Sequence, residues 1–85
     1  MYEIYFANSK SEKIIQGYLN TRKDIKNKLI RLKQNPRKEI GAHPLHGKLL
    51  RKWACWLGSN IRMIYSIDDL RKIIYIESVG SHKIY

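Results

Sequence analysis

The sequence predicts one compact α+β domain in the order β-α-α-β-β-β, with a helical pair packed on a curled antiparallel sheet. Three observations predict it. Apolar residues recur at helical spacing from residue 14 to residue 32, and "YEIYFA" before them is aromatic and β-branched. After residue 48 the chain runs through three stretches rich in Ile, Tyr, Trp and Val, with short turn-forming words between them.

Taken in order, Tyr2 to Ala7 reads as a short opening strand. "NSKSE" then offers Asn8, Ser9 and Ser11 as N-caps, and the spacing of Ser9 to Glu12 suits a capping box. Ile14, Ile15, Tyr18, Leu19, Ile25, Leu29 and Leu32 form an apolar stripe that weakens at "LNTRKD". Two helices are therefore expected, at about Ser11–Leu19 and Thr21–Gln34, with Asn20 or Thr21 ending one and capping the next. Pro36 stops the second, because proline lacks the amide donor and restricts the residue before it. "KLLRKWACWL", "NIRMIYSI" and "KIIYIESV" read as strands, joined by turns at Gly58–Asn60 and Asp68–Arg71. The run Ile73–Val79 is nearly all apolar, as expected of a central strand covered on both faces.

Eighty-five residues leave room for one core. No apolar run approaches a membrane span, "MYEIYFANSK" lacks the features of a signal peptide, and the lone Cys55 cannot form an internal disulfide. A cytoplasmic protein is expected. Charge is the strongest global signal: 17 Lys and Arg face 7 Asp and Glu, a formal +10. Residues 8–39 alone hold ten basic and three acidic side chains, a net of +7. Such a surface attracts nucleic acid or an acidic protein, the alternative being a solvated lysine-rich face.

Arg62 alternates with Ile61 and Met63, so it points away from them and either faces water on an open sheet side or meets an anion. The ending "GSHKIY" places His82, Lys83 and Tyr85 together: an imidazole, a cation and a phenol. RNA cleavage by the neighbouring 2′-hydroxyl uses such groups. One side chain takes the hydroxyl proton, another protonates the leaving oxygen, and a cation stabilises the phosphorane between them. "GAHPLHGK" supplies His43 and His46, in an exposed loop suited to substrate contact. With His82 and Cys55 they lack metal-site spacing, so no metal or other cofactor is expected.

The string "HPLHGKL…W…LGSNIRMIYSIDD…KIIYIESVGSHKIY" resembles the RelE/ParE superfamily of type II toxin–antitoxin toxins, above all RelE and its YafQ-like relatives. The resemblance spans about His43 to Tyr85, and the β-α-α beginning agrees with it in order and length. It implies an endoribonuclease that cuts ribosome-bound mRNA and is inhibited by a cognate antitoxin, expected here to be acidic. Arg62 falls on the arginine that binds the scissile phosphate in RelE toxins. His82 falls on a proton-transfer histidine, Tyr85 on the aromatic residue that stacks near the cleaved nucleotide, and His43 on the histidine of the "HPLxG" segment. Lys83 stands for a basic residue between glycine and aromatic. The chain departs from the pattern at "WACW" (Trp53–Trp56), where RelE toxins carry catalytic lysines; Lys48, Arg51 and Lys52 are the nearby cations and, with His46 and Lys83, the expected RNA-binding residues. YafQ-like chains have a histidine and an aspartate where Trp56 and Asn60 stand, and an arginine in place of Ser78. The tail is also about one residue shorter than the usual "GTHxxxY" spacing. Two other readings belong to the same resemblance: a ParE-like gyrase inhibitor, and a catalytically degenerate member that binds only antitoxin or nucleic acid.

Overall fold

The computed structural model describes residues 1–38, 41–49, 51–58 and 61–81. Strand β1 (Glu3–Phe6) leads into helices α1 (Ser9–Thr21) and α2 (Lys23–Gln34). A two-residue strand β2 (His43–Pro44) and a single 3-10 turn (Gly47–Leu49) follow, then β3 (Trp53–Trp56), β4 (Ile61–Asp68) and β5 (Ile73–Ser81). The sheet has five strands in the order β1-β5-β4-β3-β2. The predicted α+β architecture stands, with one correction to the sheet. β1 runs parallel to β5, Glu3 beside Ile73 through Phe6 beside Ile76, so the sheet is mixed rather than wholly antiparallel. The helical pair carries the chain from β1 at one edge of the sheet to β2 at the other, and β5 returns to lie beside β1.

Asn8 is the N-cap of α1: its side-chain oxygen accepts the amide of Ser11 at 2.8 Å. The capping box on Ser9 is not formed, since Ser9 is the first helical residue and Ser11 lies buried one turn in. The helices part at Arg22, whose extended backbone (φ −137°) breaks the run. Neither Asn20 nor Thr21 caps α2; the Thr21 hydroxyl turns back to the Gly17 and Tyr18 carbonyls. Ile15, Ile25, Leu29 and Leu32 face the sheet and meet Cys55, Leu57, Met63, Tyr65, Ile74, Ile76 and Val79. Each large aliphatic side chain buried this way contributes roughly 1.5–3 kcal/mol. Tyr65 is wholly buried and donates its hydroxyl to the Pro36 carbonyl at 2.6 Å, so its polar atom has a partner inside the core.

Among the described residues, no helix covers the opposite sheet face. Its apolar part is small, Leu45 with Ala54 and Ile64. The expectation that Ile73–Val79 is covered on both faces is therefore corrected: Ile74, Ile76 and Val79 are buried against the helices, while Ile73, Tyr75, Glu77 and Ser78 are half-buried. One irregularity shapes that strand. The β4–β5 ladder slips between Ile64 and Tyr65, which pair with Ser78 and Ile76 and leave Glu77 as an extra residue.

Candidate functional site

Register sorts the candidate residues by face. Trp56, Arg62 and Gly80 lie side by side across β3, β4 and β5. Two residues further along β4, on the same face, His43, Ala54, Ile64 and Ser78 form the next row. Neither row faces the helices, because Cys55, Met63 and Val79 alternate with them into the core. Arg62 and His43 thus share the open face, as the alternation of residues 61–63 predicts for Arg62.

Arg62 lies with its guanidinium carbon 4.2 Å from the centre of the Trp56 ring, a cation–π stack between neighbouring strands. Trp56 is held in turn by Gly41. Gly41 takes φ +73°, and a Cβ built on it would fall 2.4 Å from the Trp56 ring carbon Cδ1. Only glycine meets both demands at that position. Trp56 also tethers α2, since Lys28 donates to its carbonyl at 3.1 Å. Trp56 is thus a platform for the arginine.

Gly41 fixes His43 as well. The imidazole Nδ1 lies 2.7 Å from the Gly41 carbonyl oxygen. A carbonyl can only accept, so Nδ1 carries the proton of this bond, and in the neutral ring Nε2 is the basic nitrogen. The side chain is exposed, which leaves that nitrogen open to a solute. The loop reading of "GAHPLHGK" is corrected at His43–Pro44, which form a short edge strand on β3.

Of the predicted RNA-binding residues, Lys52 alone is tied onto the open face in the described structure. It forms an ion pair with Glu77, both side chains partly buried. Lys48 sits in the 3-10 turn, His46 just before it, and Arg51 in the segment that enters β3 with φ +73°. All three are exposed. His82, Lys83 and Tyr85 lie outside the described residues; the last described one, Ser81, pairs with Ile61. Glu77 was not among the predicted site residues. Its signal in the sequence is a carboxylate followed by Ser78 inside an apolar strand, a break in alternation that marks a bulge. Among the described residues no three His, Cys, Asp or Glu side chains cluster as metal ligands.

No protein-family model matches the chain, and no curated protein does. Solved structures match over nearly its whole length. A YoeB/ParE toxin from Agrobacterium tumefaciens is 20% identical with a TM-score of 0.73, covering 94% of this chain and 98% of its own. The heterotetrameric YoeB-YefM toxin–antitoxin complex from Staphylococcus aureus gives a TM-score of 0.74 at 19% identity, covering 96% and 98%. YafQ from E. coli gives 0.65 at 20% identity, covering 96% and 94%. The fold is the one these toxins share.

Proposed function

We propose that this chain is the toxin of a type II toxin–antitoxin module, an endoribonuclease that cuts ribosome-bound mRNA by 2′-hydroxyl attack without a metal. One observation carries the reading: on the open face of a YoeB-like fold, the same glycine backs the Trp56 platform of Arg62 and holds the imidazole Nδ1 of the exposed His43. In the proposed reaction the 2′-oxygen attacks the adjacent phosphorus, the bond to the 5′-oxygen breaks, and a cyclic phosphate and a free 5′-hydroxyl result. His43 and His82 divide the two proton transfers, one accepting the 2′-hydroxyl proton and the other supplying the proton that the 5′-oxygen takes up. Arg62 stays charged at any working pH and offsets the extra charge on the phosphorane. Tyr85 stacks on the nucleotide, while Lys48, Arg51, Lys52, Lys83 and His46 hold the RNA backbone.

The proposed partner is an acidic antitoxin, in keeping with the +10 charge and with the YoeB-YefM complex among the structural neighbours. A groove of about 250 Å³ between β1 and the helices suits an acidic amphipathic segment: Ile4, Phe6, Leu19 and Ile30 line it, with Lys26 and Lys33 beside them. Toeprinting on translated mRNA tests the activity, with truncated message at the ribosomal A site as the expected result. Gyrase-dependent DNA breaks would mark the ParE-like reading instead, and absence of toxicity a degenerate member. Cleavage is expected to survive chelation of zinc and other transition metals, with magnesium held constant for the ribosome; loss restored by zinc would refute the metal-free chemistry.

A further inference from the structure

Glu77 is conspicuous on a face proposed to receive phosphate, because a carboxylate there repels the ligand. Its placement is built from both sides of the sheet. Behind it, the Glu77 carbonyl is taken by α1, accepting from Asn8 Nδ2 at 2.9 Å and from the Ser11 hydroxyl at 3.2 Å. The bulge also sets what its neighbours face. Without the extra residue, alternation from buried Ile76 would send Ser78 into the core and Val79 out of it. In front, the Glu77 carboxylate meets the Lys52 ammonium.

Lys52 precedes β3 and Glu77 lies on β5, so the whole of β4 separates their backbones, two strand spacings or roughly 10 Å. The pair can close only over β4, above the stretch Ile64–Ser66. Arg62 lies at one same-face step from Ile64 on that strand, roughly 7 Å along it. Two cations thus lie on the same face of the sheet, Arg62 against Trp56 and Lys52 against Glu77. A lysine stem is flexible and loses freedom when its ammonium is held, so a carboxylate that holds it beforehand prepares the site while weakening its attraction for anions.

We infer that Glu77 is a positioning residue that holds the Lys52 ammonium over β4, beside Arg62, for contact with the substrate phosphate. The inference rests on the nuclease reading above. It makes Lys52, and not the more exposed Lys48 or Arg51, the cation that acts with Arg62. Glu77→Gln keeps the shape and removes the charge that grips Lys52. With ribosome-bound mRNA as substrate, it should lower kcat by on the order of 10–100-fold, the scale of a misplaced group. KM should stay level or fall, since one repelling charge is gone. Lys52→Met should lower kcat comparably, and adding Glu77→Gln to it should change kcat no further, because both act through one ammonium.

An unchanged kcat in Glu77→Gln would overturn the inference, and so would a raised KM with kcat intact. An equal further loss of kcat in the Lys52→Met background would show that Glu77 does not act through Lys52. Circular dichroism and thermal unfolding establish folding. Should Glu77→Gln fail to fold, Glu77→Asp, which keeps the charge but shortens its reach, carries the test by the same split between kcat and KM. A wild-type chain that leaves message intact would refute the nuclease reading itself; wild-type cleavage with an indifferent Glu77→Gln would refute only the positioning role.

Discussion

Arg62 and His43 offer the site different chemistry: a guanidinium supplies fixed positive charge, whereas an imidazole can both accept and donate a proton. Arg62→Ala should lower cleavage across the whole pH range, by on the order of 10²–10³ if it resembles the loss of an oxyanion donor. His43→Ala should instead remove one limb of the pH–rate profile; a parallel drop at every pH would assign His43 to substrate binding. Gly41 is a structural test of the same site. Its φ of +73° and the Trp56 ring against its α-carbon mean that Gly41→Ala must strain the backbone and displace the indole. A loss of about 1–3 kcal/mol in urea unfolding is expected, the range for strain at a special backbone position. Cleavage should fall beyond what the lost stability explains, because the indole carries Arg62 and the same turn carries His43.

The elements are tied together by a few polar contacts between chain-distant segments. Asn8 caps α1 and also donates to the Glu77 carbonyl in the β5 bulge. Asn8→Ala therefore removes a cap and one of two donors to that carbonyl. It should cost about 1–2 kcal/mol, nearer the upper end of the range for caps. Arg37, just beyond α2, forms a forked ion pair with Asp69 at 2.8 and 3.0 Å, and the Tyr2 hydroxyl donates to the same carboxylate at 2.6 Å. The Arg37 hydrogen bonds, then that of Tyr2, lower the Asp69 pKa from 3.8 to about 2. A depressed carboxylate stabilises the fold above its unfolded value, and the contribution disappears as pH falls from about 3.8 through about 2. The melting temperatures of wild type and Asp69→Asn should thus differ at neutral pH and converge below pH 2; a gap that persists there would show that the charge is not what matters. Asp69 is solvent-exposed, so the gap should be small and shrink in salt.

At the scale of the molecule, charge and sheet divide the work. The net +7 of residues 8–39 lies on the helical pair and the segment after it, whereas the candidate site uses the opposite face of the sheet. An acidic partner in the groove between β1 and the helices would therefore not need to cover Arg62. Calorimetry with the product of an adjacent acidic reading frame should show binding that weakens as salt rises. Lys26→Glu together with Lys33→Glu should reduce it at least tenfold, a loss of about 1.4 kcal/mol. Retained affinity in that variant would move the docking surface elsewhere.

The sequence by itself determined the class, the order of the two helices and the four longer strands, and the face on which Arg62 would lie. These follow from local rules: alternation along a strand, apolar spacing in a helix, proline as a stop. Its reading of helix ends was good to about two residues, and Asn8 was among the caps it offered. Only the tertiary structure decided that Glu3 to Phe6 run beside Ile73 to Ile76 in parallel, that Trp56 lies under Arg62, and that Lys52 reaches Glu77. Each of these depends on register between segments distant in the chain. A shift of one residue would turn every side chain of a strand to the other face, and alternation within one strand does not say which residue of another lies opposite. The bulge at Glu77 shows the difference in one residue. Its carboxylate is legible as a break in an apolar run, but what it is for depends on a lysine 25 residues away and a helix cap 69 residues away.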